Sequence, residues 1–443
     1  MIETIKEFLT LKNYKELKAF LKTLNEADIA ECFNDLNKEE CALVFRLLNK
    51  DEAADVFAMM DSDAQENIIA SISDKEISNI MQGLYADDAA DLVEELPANL
   101  VKRVLKNTAP ETRKAVNELL KYPEDSAGSI MTTEYVDLKE EDSVTNAFKR
   151  IKNTGLKKET VYTAYVTDDN RKLVGVLTVK ELLMAEGSDK VKDLMETNVI
   201  TVNTTTDKEE VAKMFDKYDF LAMPVVDSEE RLVGIVTVDD ALDIFSEEHE
   251  EDFEKMAAMK PSDDNYLKSS IFTQYKNRII WLLVLMLSSI ITGKIITNYQ
   301  NAFAAVPLLV SFIPMIMDTG GNCGSQASTM VIRALATDEV ETKDFLKVWF
   351  KEIRISLLVG VSLALVNGIR IYIEYHSLVL ALTIGATLII TAMVAKSIGC
   401  LLPIFAKQLK LDPAYMASPM ITTIVDALSL MVFFNVALAL MNI

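Results

Sequence analysis

Residues 418–434 read SPMITTIVDALSLMVFF, and this stretch decides how the rest of the chain is taken. It is apolar and long enough for most of a bilayer crossing, yet it carries one carboxylate, Asp426. A charge at membrane depth costs about 2.5–3.5 kcal/mol by insertion scales. An ion, a partner charge or a water-filled path must offset that cost. Outward from this point the composition divides sharply. Residues 271–443 hold 9 Asp/Glu and 12 Lys/Arg, whereas residues 1–270 hold 58 and 33. The chain is therefore a nearly uncharged membrane half behind a strongly acidic soluble half. That acidity argues against nucleic acid, whose phosphates it would repel, and favours cations as partners. The cysteines, Cys32, Cys41, Cys323 and Cys400, form no CxxC pair and read as free thiols. The amphipathic N-terminus lacks the apolar core of a signal peptide, which leaves the soluble half in the cytosol.

The apolar half divides into five expected spans, near 279–297, 302–336, 353–373, 378–406 and 414–441. Lys268, Lys276 and Arg278 precede the first. Arg333, Lys343, Lys347, Lys351 and Arg354 surround the second connection, and Lys407 and Lys410 lie in the fourth. Only Lys294 and Arg370 oppose them, which puts the N-terminus inside and the C-terminus outside. The second span carries Pro307, Pro314 and MDTGGNCGSQAS (317–328), and the fifth carries Pro419, Thr422 and Thr423 one turn before Asp426. Glycines and amides at this depth suggest backbone turned toward a cavity, with close packing of small residues as the alternative. Pro419 is expected to free a carbonyl one turn back. Spans two and five are the expected pore-lining pair, with Gly320, Gly321 and Asn322 on the second. An anion channel would need basic residues facing the path. A membrane sensor without transport would need neither a broken span nor a buried acid. No nucleophile set, P-loop or His-rich centre points to an enzyme.

The soluble half contains two repeats. From Leu24 an aliphatic residue or Met recurs every twelve positions (Leu36, Leu48, Met60, Ile72, Leu84, Leu96), mostly followed by a capping residue such as Asn25, Asn37, Asn49, Asp61 or Ser73. Asn37 with Glu40, Asn49 with Glu52 and Ser73 with Glu76 have capping-box spacing. Short helices that cannot bury their apolar faces singly predict a stacked α-solenoid to about residue 122. Asp51, Asp55, Asp87, Asp88, Asp91, Glu94 and Glu95 are placed on its outer face, either solvated or forming a divalent-cation surface. Farther on, AYVTDDNRKLVGVLTVKELL (164–183) matches MPVVDSEERLVGIVTVDDAL (223–242), shifted by 59. Each copy reads strand, turn, strand, helix. This resembles a tandem pair of CBS domains, regulatory modules that sense adenine nucleotides or metal ions. The resemblance makes Thr237 and Asp240 nucleotide-contact candidates. Then FSEEHEEDFEKMAAM (245–259) predicts an acidic connecting helix that breaks at Pro261.

The whole order, together with TGGNCGSQAS, RALAT (333–337) and LDPAYMASPMITTIVDALSL, resembles the MgtE-type magnesium channels and transporters. The resemblance implies a multidomain membrane protein: a helical, magnesium-sensing solenoid (1–122), two CBS domains (123–186 and 187–244), a connecting plug helix (245–272) and a five-helix pore domain (273–443). It implies a homodimer in the plasma membrane, with Mg²⁺ as both substrate and regulator and ATP as a ligand of the CBS pair. Asp426 of two subunits would hold hydrated Mg²⁺, with Thr422 beside it and Asp412 at the inner mouth. Regulatory cation positions carried over by the resemblance are Asp55, Asp87, Asp91, Ser129, Asp207, Glu209, Asp219, Asp240, Asp243, Glu248, Glu251 and Asp252. High cytosolic Mg²⁺ would screen these acids and close the pore.

Overall fold

The computed structural model describes residues 1–262, 266–267 and 269–441, the side chains of 51 and 301–303 excepted. Lys268 and the side chain of Asp51 thus lie outside the described residues. The chain forms two compact units, residues 1–246 and 247–443.

The first unit opens with helices Ile2–Thr10 and Tyr14–Leu21. Helices then start at Glu26, Lys38, Lys50, Ser62, Asp74, Ala86, Ala98 and Pro110, one every twelve residues. The caps explain the spacing. Asn37 Oδ1 accepts from the amides of Glu39 and Glu40, and the Glu40 carboxylate accepts from the Asn37 amide at 3.0 Å. Glu52 and Glu76 likewise reach back to Asn49 and Ser73. Such a cap contributes about 1 kcal/mol. Each helix packs on the next but one: Lys38–Phe45 on Ser62–Ser71, and Lys50–Ala58 on Asp74–Met81. The repeat also stacks Phe33, Phe45 and Phe57 edge to face, with centroids 6.3 and 6.2 Å apart. The helix Ala86–Glu95, here α1, carries Asp87, Asp88 and Asp91.

Two three-stranded sheets follow. The first is β1 (Val136–Lys139), β2 (Thr163–Thr167) and β3 (Leu173–Thr178); the second is β4 (Val202–Asn203), β5 (Ala222–Val226) and β6 (Leu232–Thr237). In each, the first pair is parallel and the second antiparallel. The 59-residue shift relates β2 to β5 and β3 to β6, whereas β1 and β4 start 66 residues apart. The two copies exchange edges: Thr132 bridges to Ile235 and Glu196 to Val176. The halves are therefore interlocked rather than sequential beads.

Helix α2 (Val238–Met256) leaves the second copy and runs into the second unit. It ends at Met256, ahead of the expected break at Pro261. Ala258 adopts a left-handed φ of 55°, and the Met259 amide donates to the Glu254 carbonyl at 2.9 Å, which terminates the helix from within. Beyond it come α3 (Ile271–Asn298), a short helix Gln300–Ala305, a 3₁₀ turn Pro307–Phe312, then α4 (Ile313–Ala336), α5 (Phe345–Tyr375), α6 (Leu378–Gln408) and α7 (Ser418–Met441). Among the described residues four helices are long and apolar enough to cross a membrane: those containing α3, α5, α6 and α7. Helix α4 occupies the expected second span but is too polar along DTGGNCGSQAS to meet that measure. Two expectations are corrected here. The GGN segment lies inside a continuous helix; the irregular backbone is upstream, at Pro307–Phe312. Pro419 sits in the first turn of α7, where its missing N–H has no helical partner to lose, so it does not break the span.

Candidate functional site

The glycines of α4 serve close packing. A Cβ on Gly320 would stand 2.4 Å from Ser429 Oγ, and one on Gly324 would stand 2.6 Å from a methyl of Ile421. A Cβ on Gly321 would meet Thr422 at 3.0 Å and lie 3.8 Å from Asp426 Oδ1. The expected pair of spans is thus adjacent, with Gly321, Thr422 and Asp426 together. Thr422 donates its hydroxyl to the carbonyls of Ser418 and Pro419, and Thr423 donates to Pro419. Asp426 is half-buried. Along α4 the exposed residues Asp318, Asn322, Gln326 and Thr329 form a polar stripe at helical spacing. From Asn322 onward this stripe lines a cavity of about 960 Å³ that also takes in Ser325, Arg333, Lys351, Glu352, Lys396 and Ser418. A stripe of this kind cannot face lipid.

The sequence reading passed over a second pair of intramembrane charges. Lys396 Nζ lies 3.5 Å from Glu352 Oε2, and the two residues are 5% and 9% exposed. They sit on different helices 44 residues apart, so no local spacing announces them.

Just ahead of the N-terminus of α7, Asp412 begins a 3₁₀ turn and its Oδ1 accepts from the Ala414 amide at 2.8 Å. Its other oxygen, Oδ2, accepts from Lys255 Nζ at 2.7 Å. Lys255 also pairs with Glu251 at 2.8 Å and lies 5.8 Å from the Tyr415 ring centroid. Burial disfavours the charged lysine, but the hydrogen bonds to Asp412 and Glu251 outweigh it and hold its pKa above the ordinary lysine value. Asp412 was expected to meet an ion; in this structure it meets an ammonium group.

In the first unit, α1 and the start of α2 bring several acids together. Asp87 is buried and its Oδ1 has no hydrogen-bond partner among the described residues. Burial, then the charges of Asp240, Asp88 and Glu159, push its carboxyl well above the carboxylate range. Burial and Asp240 raise Asp88 to about 6; burial and Asp239 help raise Asp240 to about 6 against its bonds from Thr237. Burial and Asp88 raise Glu159 to about 8, and its buried Oε2 also lacks a partner. Asp91 is pushed the same way, but it keeps more surface open to water, which screens it. Asp87 and Asp91 were placed on an outer face; Asp87 is instead interior. Glu159 was not anticipated, because it stands alone in a polar loop seventy residues from α1.

The remaining expected positions are engaged more locally. Asp207 caps its helix by accepting from the Glu209 amide, and Glu209 pairs with Lys213 at 2.7 Å. Ser129 donates to the Ser126 carbonyl, and Ser126 bridges to Asp207, so Ser129 and Asp207 are neighbours. Asp219 ends its helix in a left-handed conformation. Asp55 contributes to the charge around Tyr85, and burial and then Asp239 raise Asp243. Glu248 and Asp252 stand one turn apart on α2. Thr237 donates to Asp240, so the two nucleotide candidates are joined. Among the described residues no three His, Cys, Asp or Glu converge as a ligand set for a bare metal ion. A hydrated ion, held through retained water, fits such spacing better.

Comparison with known proteins gives consistent matches along the chain. Residues 313–436 match the divalent cation transporter family MgtE, 24–125 the MgtE intracellular N domain, and 127–188 and 191–247 the CBS domain. A protein from Thermus thermophilus named magnesium transporter MgtE is 36% identical over 360 residues, 80% of either chain. One of the same name from Bacillus subtilis is 35% identical over 80% of this chain and 78% of its own. The crystal structure of the cytosolic domain of the Mg²⁺ channel MgtE in complex with ATP is 34% identical, with a TM-score of 0.53; it covers 55% of this chain and all of that one.

Proposed function

This chain belongs to the MgtE family of magnesium transporters, and from that premise we propose that it is a homodimeric Mg²⁺ channel of the plasma membrane, closed by cytosolic Mg²⁺. The family is a transport family, not an enzymatic one. One observation carries the pore reading: Asp426 stands beside the exposed polar stripe of α4. A second copy facing that stripe would enclose a water-filled path with two Asp426 carboxylates. Mg²⁺ gives up its water reluctantly and suits one or two carboxylates at a distance set by retained water. Two facing carboxylates would also repel one another strongly without an ion.

The acid cluster is the proposed sensor. The orphaned oxygens of Asp87 and Glu159 are acceptors awaiting a donor, and hydrated Mg²⁺ offers water protons and two positive charges. Cation binding there favours the compact, closed arrangement, and linkage requires that Mg²⁺ bind that arrangement more tightly. Helix α2 belongs to both units and is the covalent link. The cytosolic N-terminus and outer C-terminus follow from the Lys/Arg distribution. For the CBS pair we propose ATP as a ligand, supported by the ATP-bound relative; loss of ATP binding on Thr237→Ala would test it.

The test of the pore is Mg²⁺ flux into vesicles holding the full chain. Asp426→Ala is expected to abolish flux, and wild-type flux in that variant would overturn the assignment. Asp87→Ala with Asp91→Ala is expected to keep flux and relax its inhibition by Mg²⁺ on the cytosolic side.

A further inference from the structure

We propose that Lys255 is a resident cation of the inner mouth, competing with Mg²⁺ for Asp412 and holding the connecting helix to the base of the pore. The proposal rests on the channel reading above. It starts from the sequence: Lys255 is the single Lys or Arg among residues 245–259, a stretch that holds six acids. A lone base there would be expected to pair with its own helix. It does so with Glu251, one turn back, but its Nζ also donates to Asp412, 157 residues away. Its side chain is only 14% exposed, against 31% for Asp412. Tyr415 lies beneath the ammonium group and stacks on Trp281 of α3, centroids 5.6 Å apart. Two carboxylates and an aromatic face make a cation site, and the chain supplies the cation itself.

The position matters because Asp412 is tied to the pore wall. The Ala414 amide fixes one of its oxygens, and the turn it begins runs through Met416, whose carbonyl accepts from Ser328 of α4 at 2.6 Å. Ser418, the first residue of α7, lies 3.0 Å from Ser325 of α4, hydroxyl to hydroxyl. One further contact holds the connecting segment to α3, the Lys260 amide donating to the Asn277 carbonyl, and the Ser262 amide closes the segment on itself by donating to Glu254. An ammonium on Asp412 neutralises the carboxylate a departing or entering Mg²⁺ would use. Release of Lys255 exposes Asp412 and Glu251 together, a pair suited to a hydrated divalent ion. One ionic contact thus does two things: it occupies the mouth, and it fastens the helix that the sensor moves.

The test is recording of Mg²⁺ current from the full chain in excised patches, with Mg²⁺ varied at the cytosolic face. Lys255→Met, and Lys255→Gln as a second neutral variant, should raise the Mg²⁺ concentration for half-inhibition by about fivefold or more. Lys255→Arg should behave as wild type. In an Asp412→Asn background, Lys255→Met should add nothing, since the competitor has lost its target. Unchanged half-inhibition in both neutral variants would overturn the proposal, as would an equal effect of Lys255→Met with and without Asp412. Failure of the channel reading itself would look different, with no Mg²⁺ current in wild type or an undiminished current in Asp426→Ala.

Discussion

The acid cluster of the first unit and the proposed mouth of the second are both built from carboxylates, but the mouth pairs its carboxylates with a lysine of this chain. At the mouth, Asp412 and Glu251 share Lys255 at 2.7 and 2.8 Å. In the cluster, Asp87, Asp88, Glu159 and Asp240 face one another, and two of their buried oxygens have no partner. Buried like charges without a counterion shift toward protonation; paired ones stay charged and act as a fastening. On the proposed reading, the first arrangement responds to a cation that the cytosol supplies, and the second changes when its lysine is displaced, so that a sensor and a latch would be made from the same residue types.

Variants can sharpen that contrast. The largest effect is expected where a resident cation is removed from a buried pair. Lys396→Met leaves the buried Glu352 without its ion-pair partner, and should cost about 3–5 kcal/mol in the stability of the full-length protein, read by denaturation in detergent. A loss below 1 kcal/mol would mean that the pair is already hydrated. Next is pH. The cluster carboxyls have folded pKa values raised above their unfolded ones, so their protonated forms favour folding. That contribution is full below about pH 4 and is lost as pH rises toward 8. In chelator, the first unit should lose about 2–4 kcal/mol between pH 5 and pH 8, and Mg²⁺ should restore much of it. A first unit whose melting is flat across that range would break the comparison. Removing an unpaired acid should do the reverse of removing a cation: Asp87→Asn should stabilise the Mg²⁺-free protein by about 1–3 kcal/mol and shrink the melting shift on adding Mg²⁺. Smallest is a control outside both regions. Asn37→Ala removes a helix cap and should cost about 1 kcal/mol whether or not Mg²⁺ is present.

What could be read from the chain follows the range of the interactions. The solenoid was legible because each twelve-residue unit carries its own cap and apolar face, and the helices start on that period. The sheet pairs were legible because the 59-residue shift repeats a whole strand-turn-strand-helix pattern. The exchange of edges between copies was not, since Thr132 meets Ile235 across a hundred residues. The same limit hid Lys255 on Asp412 and Lys396 on Glu352, where neither partner signals the other. At TGGNCGSQAS composition pointed to the right helix and left two reasons open, of which close packing is the one the structure supports: small residues there admit α7 rather than open the backbone. Asp426 stood out because a charge in an apolar run is anomalous on its own, and Glu159 did not because an acid in a polar loop is ordinary.

Hydrogen exchange of the full-length protein with and without Mg²⁺ tests the contrast most directly. The account predicts that Mg²⁺ slows exchange over residues 86–95 and 238–243, while residues 251–256 and 412–416 are protected before Mg²⁺ is added and lose protection only when Lys255 is replaced. Equal protection of 86–95 in chelator and in Mg²⁺, or Mg²⁺-dependent ordering confined to 251–256 and 412–416, would contradict it.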